Sequence, residues 1–321
     1  MLALVIGLCA ALQANGAQPQ RKVVQIAYLS AGSPETHRHL AEAFVQGMNA
    51  LGYVEGENLL INYRYAEGNY ERLPALAAEL TQMKPDLIVA STSASTRAAK
   101  HATATVPIVM VNVTDPIDQG FAASLARPGG NITGMSGQYE DTLQKMLELL
   151  HAAVPKASRI ALLVNASQPV HANFLTASHD AAQRLGLELW LFEVQGPNDL
   201  DGAFAAIMQR HPDALMPLPD AMLFAEGKRI AAFGVKSRLP TIGAFREFAE
   251  VGGLMSYGNN PAESYKGAAT YVDKILKGAK PGDLPIRQPT QFELVVNLKT
   301  AKALGITIPE SVLIRADKVI R

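Results

Sequence analysis

A chain of 321 residues is long enough for one large core or for two lobes. Hydrophobic residues make up 48% and charged residues 18%, as in a folded water-soluble protein, and 29 basic side chains balance 29 acidic ones; zero net charge argues against nucleic acid as a partner, because phosphate binding needs a basic surface. The single cysteine, Cys9, excludes a disulfide framework and a cysteine-based metal site.

Taken in chain order, the first segment is a processing signal. "MLALVIGLCAAL" is apolar from Leu2 to Leu12, and "QANGAQPQ" follows with small and polar residues. This predicts a secretory signal over 1–20 with cleavage near Ala17. It is too short for a membrane span of about 20 residues. Leu8 is a poor fit before a lipidated cysteine, so no lipid anchor is expected at Cys9. The expected location is the periplasm.

From Arg21 onward, short apolar runs alternate with longer amphipathic ones. "VVQIAYLS" (23–30) reads as a strand, and "ETHRHLAEAFVQGMNALG" as a helix ending at Gly52, with His37 and His39 on its solvated start and without metal spacing. "NLLINYRYA" (58–66) is a strand and "YERLPALAAELTQM" (70–83) a helix with a tolerable early Pro74. "DLIVA" (86–90) is a strand; the six small residues 91–96 and a helix follow it. "PIVMVNV" (107–113) and "ITGMS" (132–136) complete this set. The same order restarts with strand "SRIALLVNAS" (158–167), helix "HANFLTASHDAAQRLG", strand "LELWLFEV" (187–194), helix "DLDGAFAAIMQRH" and strand "DALMPLP" (213–219). Trp190, inside the 187–194 strand, is assigned to core. One helix, "AMLFAEGKRIAAFGVKS", then precedes strands "PTIGAF" (240–245) and "GLMSYG" (253–258). Strands alternating with helices imply parallel sheets covered on both faces.

The restart keeps its register. Ile26-Ala27 and Ile160-Ala161, Leu51-Gly52 and Leu185-Gly186, Pro85-Asp86 and Pro212-Asp213, and Pro107 and Pro240 hold the same structural positions, each pair roughly 130 residues apart. The expected fold class is α/β, with two Rossmann-like lobes built on parallel sheets. The first lobe is expected over 21–136, with 258–290 returning to it, and the second over 137–257; the final stretch, 291–321, is open to either.

Ligands of open parallel sheets sit beyond the carboxyl ends of the strands, so those ends are the candidate site. In the first lobe they carry Ser30, Gly32 and Ser33; then Thr92, Ser93, Ala94, Ser95 and Thr96; then Asn112, Thr114 and Asp115. In the second they carry Asn165, Asp220, Phe245, Arg246 and Tyr257. Most are neutral donors and acceptors. Helix N-termini after strands one and three favour an anion such as a carboxylate, and Asp115 or Asp220 can answer an ammonium. Each also has a plainer role open to it. Ser91, Thr92, Ser93 and Asp220 are helix caps, Asp115-Pro116 is a common turn, and Phe245 and Tyr257 are core. No Gly-x-Ser-x-Gly elbow, phosphate loop or dinucleotide fingerprint is present, which points to binding without catalysis, metal or cofactor.

Eight segments together resemble a known family. They include "IAYLSAGSP", "PDLIVASTSAST", "ATVPIVMVNVTDPI", "GFAASLARPGGNITG", "VGGLMSYG" and "QPTQFELVVNLKTAKALGITIPESVLIRAD", and they span Val23 to the C-terminus. The chain is similar to the periplasmic-binding-protein-like substrate-binding components of ABC transporters, in the group that binds tryptophan and other aromatic amino acids. The resemblance implies a type I periplasmic-binding-protein fold. It implies a monomer that closes over a small-molecule ligand and passes it to a permease in the inner membrane. It also assigns the sixteen residues named above to the interlobe cleft. Members often carry Gly-Asp-Pro where this chain has Thr114-Asp115-Pro116, and Thr-Pro-Ala in place of Ser93-Ala94-Ser95, so the ligand itself stays open between an amino acid and an amino-acid-like carboxylate. A sensory or regulatory binding domain of the same fold is the alternative.

Overall fold

The computed structural model describes residues 23–168 and 171–321; the leader expected over 1–20, with Cys9, lies outside the described residues. The first half of the chain lays down β1 (Val24–Ser30), α1 (Pro34–Ala50), β2 (Leu59–Tyr65), α2 (Leu73–Gln82), β3 (Leu87–Ser91), α3 (Thr92–Ala102), β4 (Ile108–Thr114) and β5 (Ile132–Gly137). These five strands are parallel, in the order β2-β1-β3-β4-β5. The central strands are continuous apolar runs because helices cover both of their faces. Ile26, Tyr28, Leu87 and Val89 pack under Leu40, Phe44 and Met48 of α1, while Leu29, Ile88 and Ala90 pack under Leu80 of α2 and Ala99 of α3. Each fully buried aliphatic side chain here contributes roughly 1.5–3 kcal/mol.

The chain then passes to a second sheet through α4 (Tyr139–Ala153). There follow β6 (Arg159–Asn165), α5 (His171–Leu185), β7 (Glu188–Val194), α6 (Leu200–Arg210), β8 (Ala214–Pro217), α7 (Ala221–Ala225), α8 (Gly227–Lys236), β9 (Ile242–Gly243), α9 (Arg246–Glu250) and β10 (Met255–Asn259). β7-β6-β8 is joined to β9-β10 by a bridge between Leu215 and Thr241, with the Leu215 N–H donating to the Pro240 carbonyl at 2.9 Å. In order of appearance this is again 2-1-3-4-5, the order of the first sheet. α10 (Pro261–Leu276) returns to the first sheet and packs on α1, and Met135, in β5, bridges to Arg287. Finally β11 (Phe292–Asn297) pairs antiparallel with β10, and after α11 (Leu298–Leu304) and α12 (Glu310–Leu313) the last strand, β12 (Lys318–Ile320), pairs with β11. The C-terminal stretch thus extends the second sheet.

Four elements differ from their sequence expectation. α3 opens at Thr92, inside the run of small residues 91–96 that it was expected to follow. The helix expected over 70–83 opens with a 3-10 turn, Tyr70–Arg72; Pro74 sits in the first turn of α2, where its missing N–H needs no partner. The single helix expected after Asp220 is two, broken at Glu226, whose φ −86° and ψ 6° end α7 and begin α8. The strand expected over 240–245 contributes only Ile242–Gly243. Close approach demands glycine at Gly134 (φ 136°), where a side chain would overlap the Met110 carbonyl next to a bulge between Met110 and Val113, and at Gly258, where it would overlap the Ala244 carbonyl.

Candidate functional site

The carboxyl ends of the two sheets face each other across a cavity of about 680 Å³ of non-protein space, its mouth included. From the first sheet it is lined by Thr92, Ser93, Ala94, Asn112 and Thr114, with His37, Tyr70 and Tyr265; from the second by Asp220, Phe224, Phe245, Tyr139 and Phe174. One part of the wall is therefore polar backbone and hydroxyl, and another is aromatic.

The hydroxyl run does something other than cap. α3 has no side-chain cap among the described residues, although one or two of the hydroxyls of Ser91, Thr92 and Ser93 were expected to supply one. Ser91 accepts from the Tyr265 hydroxyl at 2.6 Å. Ser93 accepts from the Thr114 N–H at 3.2 Å and from Gln119 Nε2 at 3.0 Å, tying the start of α3 to the end of β4. Thr96 donates back to the Thr92 carbonyl at 2.8 Å. What remains is a helix start with uncapped N–H groups, and beside it the Thr92 hydroxyl, which has no hydrogen-bond partner among the described residues.

Backbone strain gathers at the same place. Thr92, Asn112 and Asp115 have φ of 82°, 55° and 31°, in the left-handed region that non-glycine residues enter at a cost of roughly 1–3 kcal/mol each. Asn112 lies in the β4 bulge, which turns it toward the cavity, and its side-chain oxygen is buried without a partner among the described residues.

Asp220 is both helix cap and cavity wall. Its Oδ1 accepts from the N–H groups of Met222 at 2.9 Å and Leu223 at 3.0 Å and from Asn165 Nδ2 at 3.2 Å. Its Oδ2 accepts from the Tyr70 hydroxyl at 2.6 Å, a bond that joins the two lobes. Burial, and then the Asp220 charge beside it, hold the Tyr70 hydroxyl well above its ordinary pKa, so it remains a donor.

The aromatic wall is layered. Phe224 meets Phe245 edge-on at 5.5 Å, and Phe245 meets Tyr139 at 6.2 Å in the same manner. The His37 ring sits edge-on to Phe224 at 5.2 Å, with Nδ1 2.7 Å from the Thr36 hydroxyl oxygen. The sequence placed His37 on a solvated helix start; it is 4% exposed, and burial, with His39 adding to it, holds its pKa down at about 4. A side chain on Gly32 would overlap the His37 ring, so Gly32 makes room for it.

Of the sixteen candidate residues, seven line the cavity: Thr92, Ser93, Ala94, Asn112, Thr114, Asp220 and Phe245. The others stand outside its lining. Ser30 is buried and accepts from the Gly32 N–H at 3.2 Å, Ser33 caps α1 through the Thr36 N–H, and Ser95 and Thr96 are buried within α3. Asp115 accepts from the Asp118 N–H at 3.1 Å in its own turn. Asn165 props Asp220 and accepts from the Ser167 hydroxyl at 2.5 Å. Arg246 faces away, paired with Glu293 at 3.2 Å and Glu250 at 3.4 Å, and Tyr257 stacks on Phe292 at 6.0 Å. Trp190, assigned to core, lies half-buried under the Arg210 guanidinium at 4.3 Å. The sequence missed His37, Tyr139, Phe174 and Tyr265, which come from helices, and also Tyr70, which stands beyond the end of β2, and Phe224, one turn beyond Asp220. Tyr70 and Phe224 follow strand ends, the signal that found the rest.

A family model described as ABC transporter substrate binding protein matches residues 25–320. A tyrosine-binding protein of Clostridioides difficile (strain R20291) is 26% identical over 265 residues, 83% of this chain and 76% of that one. A conserved domain protein from Vibrio cholerae superposes with a TM-score of 0.88 at 28% identity, covering 93% of this chain and 100% of that one. An ABC domain from Streptococcus pneumonia, solved in complex with L-Trp, superposes with a TM-score of 0.86 at 26% identity, covering 92% and 99%.

Proposed function

The chain belongs to the ABC transporter substrate-binding protein family, and from that premise we propose that its cavity takes an amino acid with an aromatic side chain. The observation that carries this reading is the division of the cavity wall. An uncapped helix start and the Thr92 hydroxyl suit a carboxylate, because N–H groups and the positive end of the helix dipole both favour negative charge. The Asn112 side-chain oxygen and Asp220 Oδ2 suit an ammonium. Phe224, Phe245 and Phe174 suit a ring. Two relatives on this fold support the choice, one named for tyrosine and one solved with L-Trp. Asp115, tied into its own turn, has no part in holding the amine.

The protein works by closure without turnover. Ligand contacts on both lobes exist together only in the closed form, so binding favours that form by the sum of those contacts. The closed monomer is then recognised by a permease in the inner membrane, and the protein acts on the periplasmic side. Among the described residues no helix is long and apolar enough to cross a membrane. The lobes are taken as roughly 21–136 with 258–290, and 137–257 with 291–321, the antiparallel pairing of β11 with β10 supporting the second assignment.

A thermal-shift screen over the amino acids and small carboxylates tests the reading. A ligand at a hundredfold excess over its Kd stabilises by about 2.7 kcal/mol, and L-tyrosine, L-tryptophan or L-phenylalanine should give the largest rise. A rise with sugars or with achiral carboxylates, and none with any amino acid, would remove the amino-acid assignment.

A further inference from the structure

A second cavity adjoins the first. It holds about 750 Å³ of non-protein space, its mouth included, and its inner wall is apolar, with Leu223, Ala244 and Phe248. Pro219, Asp220, Phe224 and Phe245 line both cavities. The edge-on contact of Phe224 with Phe245, 5.5 Å between centroids, is therefore a partition with space on either side of it. The two rings are not held alike. Phe245 packs on the second lobe's core beside Tyr139. Phe224 is half-buried and belongs to none of the core clusters; its other ring contacts are His37 at 5.2 Å and His39 at 6.3 Å, both on α1 of the opposite lobe. Its backbone is fixed nonetheless, because Asp220 caps the N–H groups of Met222 and Leu223 just before it.

On the reading that the first cavity takes an aromatic amino acid, we propose that Phe224 is the residue that limits how long the ligand's side chain can be, and that the second cavity is a side pocket for an apolar extension of that ring. A ring lying among Phe245, Phe174 and Phe224 ends against Phe224. Beyond it the nearest wall is apolar, with Leu223, Ala244 and Phe248, while Thr36, His39, Asp220, Lys228 and Glu247 also line the space, so removing Phe224 lengthens the site along its apolar side. The selectivity of such a stop is steric, and one misplaced group in a packed apolar pocket changes affinity by about tenfold or more.

The probes are L-tyrosine, L-phenylalanine and 4-phenyl-L-phenylalanine, which carries a second ring in line with the first. Calorimetry on the full chain should find the wild type binding the longer ligand at least about tenfold more weakly than the better of the other two. Phe224→Ala should bind it about tenfold more tightly than the wild type does, while losing affinity for L-phenylalanine. Phe224→Leu, closer in volume, covers the case in which the alanine variant does not fold, and should shift the same ratio in the same direction. If both variants keep the wild-type ratio of long to short affinity, or if the wild type already takes the long ligand as well as the short ones, the partition has no role in selectivity. If the wild type binds none of the amino acids, the amino-acid reading falls, and the length limit falls with it.

Discussion

His37 is a neutral histidine buried between two lobes, and its burial sets the direction of a pH effect. Desolvation, and then the neighbouring His39, lower its pKa to about 4, against about 6.5 in an unfolded chain. Between those values the unfolded chain binds more protons, so this contribution to stability is complete above about pH 6.5 and lost as pH falls toward 4. Part of the cover over the ring is Phe224 of the second lobe, so closure weakens in the same window. Asp213 acts at lower pH, because the Arg159 side chain holds its carboxyl well below the usual range. Melting temperatures should therefore fall between pH 7 and 4.5, and His37→Gln should flatten that part of the profile. An unchanged slope in the variant would assign the effect to other groups.

At the scale of the element, α3 trades stability for an open N-terminus. Thr92 opens the helix at φ 82°, and its hydroxyl lines the cavity without a partner among the described residues. Thr92→Gly should raise stability by about 1 kcal/mol in denaturant melts, since glycine enters that region without strain. The same change should weaken ligand by several-fold in calorimetry, through loss of a hydrogen bond of about 1 kcal/mol. A less stable variant would mean that Thr92 is not strained where it stands. The hydroxyl run itself was legible in the sequence, because an apolar strand opening into small residues has few other meanings in a parallel sheet. Which hydroxyl faces which neighbour was not. Ser93 is taken up by the Thr114 N–H and Gln119, and Ser91 by Tyr265, 174 residues away, so the caps that local propensity suggested never form. The β4 bulge that turns Asn112 inward was equally hidden, since Asn112 carries positive φ in a run that reads as an ordinary buried strand.

For the whole molecule, the repeated landmarks marked out two sheets of one strand order, because each Leu-Gly and Pro-Asp pair punctuates the same turn in both. The contacts that hold the sheets together left no such mark: Tyr70 and Asp220 are 150 residues apart and meet only when the lobes do. On the closure reading, that contact biases the balance between open and closed forms. The Tyr70 hydroxyl donates to a carboxylate whose other oxygen is already committed to three donors, so the bond is charge-assisted and within a largely desolvated site. In an open form both groups are hydrated instead, and only the difference biases closure, about 1.5–3 kcal/mol for a bond of this kind. Tyr70→Phe keeps the ring and its packing and removes only the hydroxyl. Its affinity for ligand should drop about tenfold or somewhat more, since each 1.4 kcal/mol is a factor of ten. Small-angle scattering separates the causes. Without ligand the variant's radius should equal or exceed that of the wild type, and saturating ligand should bring both to the same smaller value, because the hydroxyl shifts the equilibrium without changing either end state. A variant with wild-type affinity would show that Tyr70 and Asp220 meet without biasing closure, and a wild-type radius that ligand does not reduce would set aside closure itself.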